Sequence, residues 1–189
     1  MTKLKDSLKH LDRVGSATLT VPRQAFLDKV VVPVSEAANG VPVWLGCAAG
    51  LAATGARGRR VAGRGLVSMA VASAVADQGV KRLVGRSRPF WLVGRRAPSR
   101  TSASFPSGHA TTAAAFAVTG LLEWPAVGIP LGILAAIVGY GRVYSRQHYV
   151  LDVIGGTVIG AAVAALVHRL GSKASQDPRH PGRDDRVSL

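Results

Sequence analysis

Five stretches of this chain approach the length and apolarity needed to cross a bilayer, and nothing else constrains its fold as tightly. They lie at about 38–56, 61–80, 107–124, 126–143 and 151–168, against the roughly 20 apolar residues that span about 30 Å of hydrocarbon. In lipid the backbone N–H and C=O groups must be satisfied within the segment itself, so such stretches become helices. The expected fold class is all-α: an integral-membrane helical bundle of about five to six transmembrane helices with an amphipathic N-terminal segment. The chain is 48% hydrophobic but only 5% aromatic, so the helices are built largely from Ala, Val, Gly and Leu. The spacings Gly46 to Gly50, Gly128 to Gly132 and Gly156 to Gly160 put small residues on one helical face. That allows close helix contact and permits a homo-oligomer.

The flanks differ. Residues 23–38, "RQAFLDKVVVPVSEAA", carry Asp28, Lys29, Glu36 and Pro33, too polar for a comfortable span and suited to an interfacial amphipathic helix. The first 20 residues lack the continuous apolar core of a signal peptide. After about residue 170 the chain becomes polar and Pro-containing, a composition expected to be disordered. The expected organisation is a basic, amphipathic segment 1–37, a transmembrane domain 38–170 and a polar tail 171–189. Formal net charge is +14, from 24 Lys and Arg against 10 Asp and Glu. Anionic lipid surfaces, phosphorylated substrates and nucleic acid are the natural partners of such a charge, and the apolar stretches favour the lipid bilayer over nucleic acid. The single cysteine, Cys47, lies in an apolar stretch, which leaves no disulfide framework and no zinc set.

Five crossings place every unusual polar stretch on one side: "KRLVGRSRPFWLVGRRAPSR" at 81–100, "PSGH" at 106–109 and "GRVYSRQHYVLD" at 141–152. A mixture of Lys, Arg, His, Ser and Asp at one end of a bundle suits phosphoryl transfer, in which fixed cations and oriented backbone donors stabilise charge spread over phosphate oxygens. Lys81, Arg88 and Arg142 supply the cations, and the two arginines can bind oxygens in pairs. Ser107 and Gly108 open the third span, whose first amides and positive dipole end form a phosphate site. His148 and Asp152 are four apart. If the fifth span begins early they share a face, making His148 the nucleophile, Asp152 its orienting partner and His109 the general acid. Arg82, Arg86, Arg95, Arg96 and Arg100 are expected to be solvated loop residues facing anionic headgroups. His168 is expected to be a snorkelling residue at the membrane boundary, and Asp77 can pair with Lys81.

These stretches carry a resemblance. "KRLVGRSRP" has a lysine, six intervening residues and then Arg-Pro; "PSGH" follows; Arg142, His148 and Asp152 stand at intervals of five and three intervening residues. Together they resemble the type 2 phosphatidic acid phosphatase family, the integral-membrane relatives of vanadium haloperoxidases, over about residues 38–168. The resemblance implies a lipid phosphate phosphatase that needs no metal and no cofactor and works through a phosphohistidine. It assigns His148 as nucleophile, Asp152 as its partner, His109 as acid, and Lys81, Arg88, Ser107, Gly108 and Arg142 as phosphate ligands. The family commonly has a serine before the third-signature arginine, where this chain has Gly141, so one hydrogen bond is expected to be missing. Its members often have six membrane helices.

The substrate class stays open among polyprenyl diphosphate, polyprenyl-phosphoryl sugar phosphates such as decaprenylphosphoryl phosphoribose, phosphatidic acid and phosphatidylglycerol phosphate. The short loops resemble compact bacterial members acting on polyprenyl carriers. The basic loop "RGRRVAGR" at 57–64, opposite the site, and the basic tail after 168 place that side in the cytoplasm, so the active site is expected to face outward; the resemblance to bacterial members implies the bacterial plasma membrane. The alternatives are a catalytically idle lipid-phosphate binder or carrier, which the set His109, His148 and Asp152 argues against, and vanadate-dependent halide oxidation.

Overall fold

The structure is a computed structural model that describes residues 2–19, 24–38, 41–88 and 103–174. Its elements are α1 (Thr2–Leu19), a π-wound turn (Leu27–Val31) running into α2 (Val32–Ala37), α3 (Val41–Ala53) and α4 (Ala56–Ala74). A second π-wound stretch (Val75–Val80) carries α4 into the single turn α5 (Lys81–Val84), followed by α6 (Gly108–Glu123), α7 (Pro125–Tyr144) and α8 (Val150–Ala174). All regular structure among the described residues is helical. The expected tail falls outside the described residues from 175 onward, as do Arg95, Arg96 and Arg100. Residues 171–174, assigned to that tail, instead form the last turn of α8.

Helix α6 is the centre of the bundle, packed against α4, α7 and α8. Its sequence "GHATTAAAFAVTGLLE" is dominated by small side chains, and Ala113, Ala115 and Phe116 are fully buried. Small residues are needed because neighbouring backbones approach α6 directly. A methyl group at Gly156 or Gly160 of α8 would collide with the α6 backbone around Ser107, Thr111 and Ala115. In lipid there is little hydrophobic gain in bringing helices together, so this close packing supplies much of the association. Of the three small-residue pairs, Gly156 and Gly160 both serve a contact within the chain, whereas a methyl group at Gly46, Gly50 or Gly132 would meet no atom within 4 Å. Phe116 fills the remaining space against Gly65, with its ring centroid 5.5 Å from that of Trp44.

The outward faces are apolar: Leu45, Val67, Ile129, Ile133, Val158 and Leu166 are all about half exposed or more. A helix apolar on both its packed and its open face belongs in a lipid environment. Among the described residues, α7 and α8 are each long and apolar enough to cross a membrane. A third span is counted if Leu27–Ala37 and Val41–Ala53, which meet at 78°, form one broken crossing. The other expected spans differ for simple reasons. Helix α3 has 13 residues and α6 has 16, about 20 and 24 Å at 1.5 Å per residue. Helix α4 carries Arg57, Arg59, Arg60 and Arg64 in its first half. At the end of the bundle away from the histidine signatures, Arg64 and His168 both engage Glu123, with His168 Nδ1 at 2.7 Å from Oε1. His168 is thus part of an ion cluster rather than a lone boundary residue.

Candidate active site

Backbone geometry gathers the three polar stretches before any side chain is considered. Ser107 caps α6 with extended backbone, its hydroxyl 3.5 Å from the Ala110 N–H, while its own N–H donates to the Asp152 carbonyl at 2.9 Å. The start of α6 is therefore tied to the start of α8. Lys81 comes up beside them: its Nζ would lie 3.5 Å from a methyl group at Gly108, and it pairs with Asp77 at 2.5 Å. The loop from α7 to α8 is wound onto one acceptor, the Arg142 carbonyl, which takes the N–H groups of Gln147 and His148 at 3.0 and 3.2 Å. To make that turn, Arg146 adopts φ 60°, a left-handed conformation rare for a residue with a side chain.

His148 does not lie on the face of α8, because the helix begins at Val150. It stands in the loop, and its Nδ1 is 2.9 Å from the Ser104 carbonyl and 3.6 Å from Asp152 Oδ2. A carbonyl oxygen can only accept, so Nδ1 carries the proton and Nε2 presents its lone pair. Nε2 faces Arg88, whose Nη1 is 3.2 Å away and also donates to the Gln147 carbonyl at 3.1 Å. Asp152 is fully buried and fully engaged. Oδ2 accepts from the Ser104 hydroxyl and, at 2.9 Å, from the Tyr149 N–H; Oδ1 accepts from Arg86 Nη1 at 3.0 Å.

Arg142, also buried, runs beside His109, with Nη1 at 3.4 Å from His109 Nε2 and 3.1 Å from Gln147 Oε1. Gln147 thus links the two arginines, one through its carbonyl and the other through its side chain. Arg142 Nε donates to Ser35 Oγ at 3.1 Å, and that hydroxyl donates to the Val138 carbonyl at 3.0 Å. Ser35, on α2, explains Gly141: a methyl group there would strike the Ser35 side chain, with Oγ only 2.6 Å away. The chain therefore supplies a hydroxyl to this arginine from a distant helix. Gly141→Ser is expected to lower stability in detergent by about 1–3 kcal/mol through overpacking. The double variant with Ser35→Gly should recover part of that loss, measured by thermal unfolding.

Several partners were not anticipated by reading the sequence. Arg86, expected to be a solvated loop residue, is partly buried between two carboxylates, Asp152 and Asp12 (2.5 Å), and lies 4.2 Å over the Tyr149 ring. Arg82 is exposed as expected, but on the helical turn α5 rather than in a loop. Ser104, Gln147, Ser35 and Asp12 also enter, and only Ser104 and Gln147 carry any signal in the sequence, by adjacency to the signatures. Among the described residues no group of three or more His, Cys, Asp and Glu side chains is arranged to hold a metal ion.

What stands at this end of the bundle is an imidazole nitrogen whose lone pair faces one guanidinium, a second histidine beside another, and a lysine at a helix start. The arrangement has relatives. Residues of this chain are 38% identical over 105 positions to an undecaprenyl-diphosphatase of Sulfolobus acidocaldarius, covering 53% of this chain and 51% of that protein. They are 38% identical over 94 positions to a decaprenylphosphoryl-5-phosphoribose phosphatase of Mycobacterium tuberculosis, covering 49% and 51%. The matched region thus spans about half the length of each of these relatives. In three dimensions the chain superposes on a transmembrane PAP2-type phosphatidylglycerolphosphate phosphatase from Bacillus subtilis with a TM-score of 0.68, at 25% identity over 90% of this chain and 89% of the other. Residues 62–176 match the family model for these proteins, and the chain belongs to the PAP2 superfamily.

Proposed function

We propose that this protein is an integral-membrane lipid phosphate phosphatase that removes a terminal phosphate through a phosphohistidine at His148. The observation that carries the proposal is the orientation of His148: Nδ1 held by the Ser104 carbonyl at 2.9 Å and Nε2 directed at Arg88 at 3.2 Å. An imidazole fixed in that tautomer next to a phosphate-binding cation is set to attack phosphorus. In the first step Nε2 forms a bond to phosphorus as the bond from phosphorus to the lipid oxygen breaks, and His109 delivers a proton to the departing oxygen. In the second, water gives a proton to His109 and attacks the phosphohistidine, the N–P bond breaks, and inorganic phosphate leaves with His148 neutral again. Arg88, Arg142, Lys81 and the first amides of α6 hold the phosphate oxygens, so charge developing in each transition state meets donors already in place.

The relatives that act on polyprenyl-linked phosphates support a polyprenyl diphosphate or a polyprenyl-phosphoryl sugar phosphate as substrate. The bundle would complete five to six membrane crossings in a bacterial plasma membrane with this end outward, since the basic start of α4 lies at the other end. A phosphate-release panel with purified protein tests the reading, using polyprenyl diphosphate, decaprenylphosphoryl phosphoribose phosphate, phosphatidic acid and phosphatidylglycerol phosphate. Turnover of at least one in the presence of EDTA, inhibited by orthovanadate, is the expected result. Strict dependence on an added divalent metal would overturn it.

The acid side of the pH profile is a second check. Burial, and then the positive charge of Arg88, hold the His148 imidazole below its ordinary range, although the Asp152 carboxylate opposes them. The attacking form is neutral, so it persists as pH falls past the ordinary histidine value of about 6.5. The acid limb of kcat/KM is expected below that value, and Arg88→Gln should move it upward while reducing the rate. A wild-type limb at neutral pH or above would contradict the assignment.

A further inference from the structure

Asp12 is a buried acidic residue on a helix whose sequence otherwise reads as basic and amphipathic. Its side chain is fully buried, and its contacts lead toward the candidate site. Oδ2 pairs with Arg86 Nη2 at 2.5 Å, and Oδ1 accepts the Leu151 N–H at 3.0 Å. Four residues on, on the same helical face, Ser16 Oγ accepts the Val150 N–H at 3.1 Å. Helix α1 therefore satisfies two consecutive amides at the start of α8 that have no partner within that helix. A carboxylate there is also favoured by the α8 dipole.

Arg86 is what makes Asp12 more than a cap. Its guanidinium is shared: Nη2 goes to Asp12 and Nη1 goes to Asp152 Oδ1 at 3.0 Å, while the face of the group covers the Tyr149 ring. The planar group has a fixed geometry, so anchoring one nitrogen on Asp12 sets where the other meets Asp152. Asp152 in turn backs His148. Asp12, Ser16 and Ser35 all precede residues 62–176, the region matched to the superfamily.

Resting on the phosphatase reading above, we infer that Asp12 is a positioning residue for the reaction: through Arg86 it fixes Asp152, and through Asp152 the orientation of His148. Helix α1 is then a working part of the active site and not only an interfacial anchor.

Three substitutions separate this role from capping. Asp12→Asn keeps an oxygen to accept from Leu151 but removes the charge that holds Arg86. Ser16→Ala removes the neighbouring cap and leaves Arg86 untouched. Asp12→Asn is expected to lower kcat by about 10–100-fold, the usual cost of losing an outer partner that orients a reacting group, with KM within about twofold. Ser16→Ala is expected to keep kcat near wild type, with a lower unfolding temperature. In a double-mutant cycle, Asp12→Asn should cost little further kcat on top of Arg86→Gln. Unchanged kcat in Asp12→Asn, or a loss that disappears when rates are normalised to folded protein, would overturn the inference. The 15N shifts of the His148 ring give a readout independent of turnover. A change in the ring signature in Asp12→Asn but not in Ser16→Ala supports the link, and identical spectra for wild type and Asp12→Asn refute it. If wild type releases phosphate from no lipid, the phosphatase reading fails, while the ring spectra still decide whether Asp12 orients His148.

Discussion

His148→Ala is expected to reduce phosphate release by on the order of 10⁴-fold or more, because removing a covalent nucleophile deletes both chemical steps. The side chain is only 2% exposed, and its loss leaves the Ser104 carbonyl and Asp152 without their ring partner. A buried acceptor left unsatisfied costs about 1–3 kcal/mol, so instability could be mistaken for lost chemistry. His148→Asn separates the two effects, since its amide can still donate toward Ser104 but has no nucleophilic nitrogen. Both variants should be inactive, and His148→Asn should unfold at a temperature closer to wild type. Wild type quenched during turnover should carry an acid-labile, alkali-stable phosphoryl group that both variants lack. Turnover retained in either variant would remove His148 from the mechanism.

Asp152→Asn is expected to give the second-largest loss, about 10²–10⁴-fold in kcat with KM little changed. The carboxylate is engaged by Ser104, Tyr149 and Arg86, none of which is among the proposed phosphate ligands, so its replacement is not expected to weaken substrate binding directly. The loss appears in the transition state, where a buried anion 3.6 Å from Nδ1 stabilises positive charge on the imidazole. Asparagine can keep one accepting oxygen, but its amide nitrogen cannot accept from both Ser104 and Tyr149 or pair with Arg86. The measurement is kcat and KM from steady-state phosphate release. A rise in KM with kcat unchanged would instead place Asp152 among the substrate-binding groups.

The helices were legible because apolar stretches in a bilayer-like environment leave the backbone no other solution. Even so, α3 and α6 are shorter than the stretches that announced them, and α8 starts after His148. The α6 and α8 boundaries are local: Ser107 with its cap and the Arg142 loop with its left-handed Arg146 set them, and apolar content registers neither. Lys81, Arg88, Ser107, Gly108, His109, Arg142, His148 and Asp152 could be named from residue type and spacing. The reason is that the proposed phosphoryl transfer calls for cations, an acid and a nucleophile at one end of one bundle. Arg86 could not be told from its arginine neighbours, because nothing in the sequence distinguishes a guanidinium between two carboxylates from one in solvent.

By itself, then, the sequence determined the helical membrane character of this protein and the chemical groups it brings to the proposed reaction. Both are written in short-range patterns: apolar runs, a capped helix start, signatures of a few residues. Only the tertiary structure decided which atoms meet. Ser35 reaches Arg142 across 107 positions and Asp12 reaches Leu151 across 139, far beyond any helical period. Such contacts depend on how closely α2 can approach Gly141 and how α1 lies across the start of α8. Those packing geometries arise from the whole bundle at once, and they set the tautomer of His148 and the partners of Asp152.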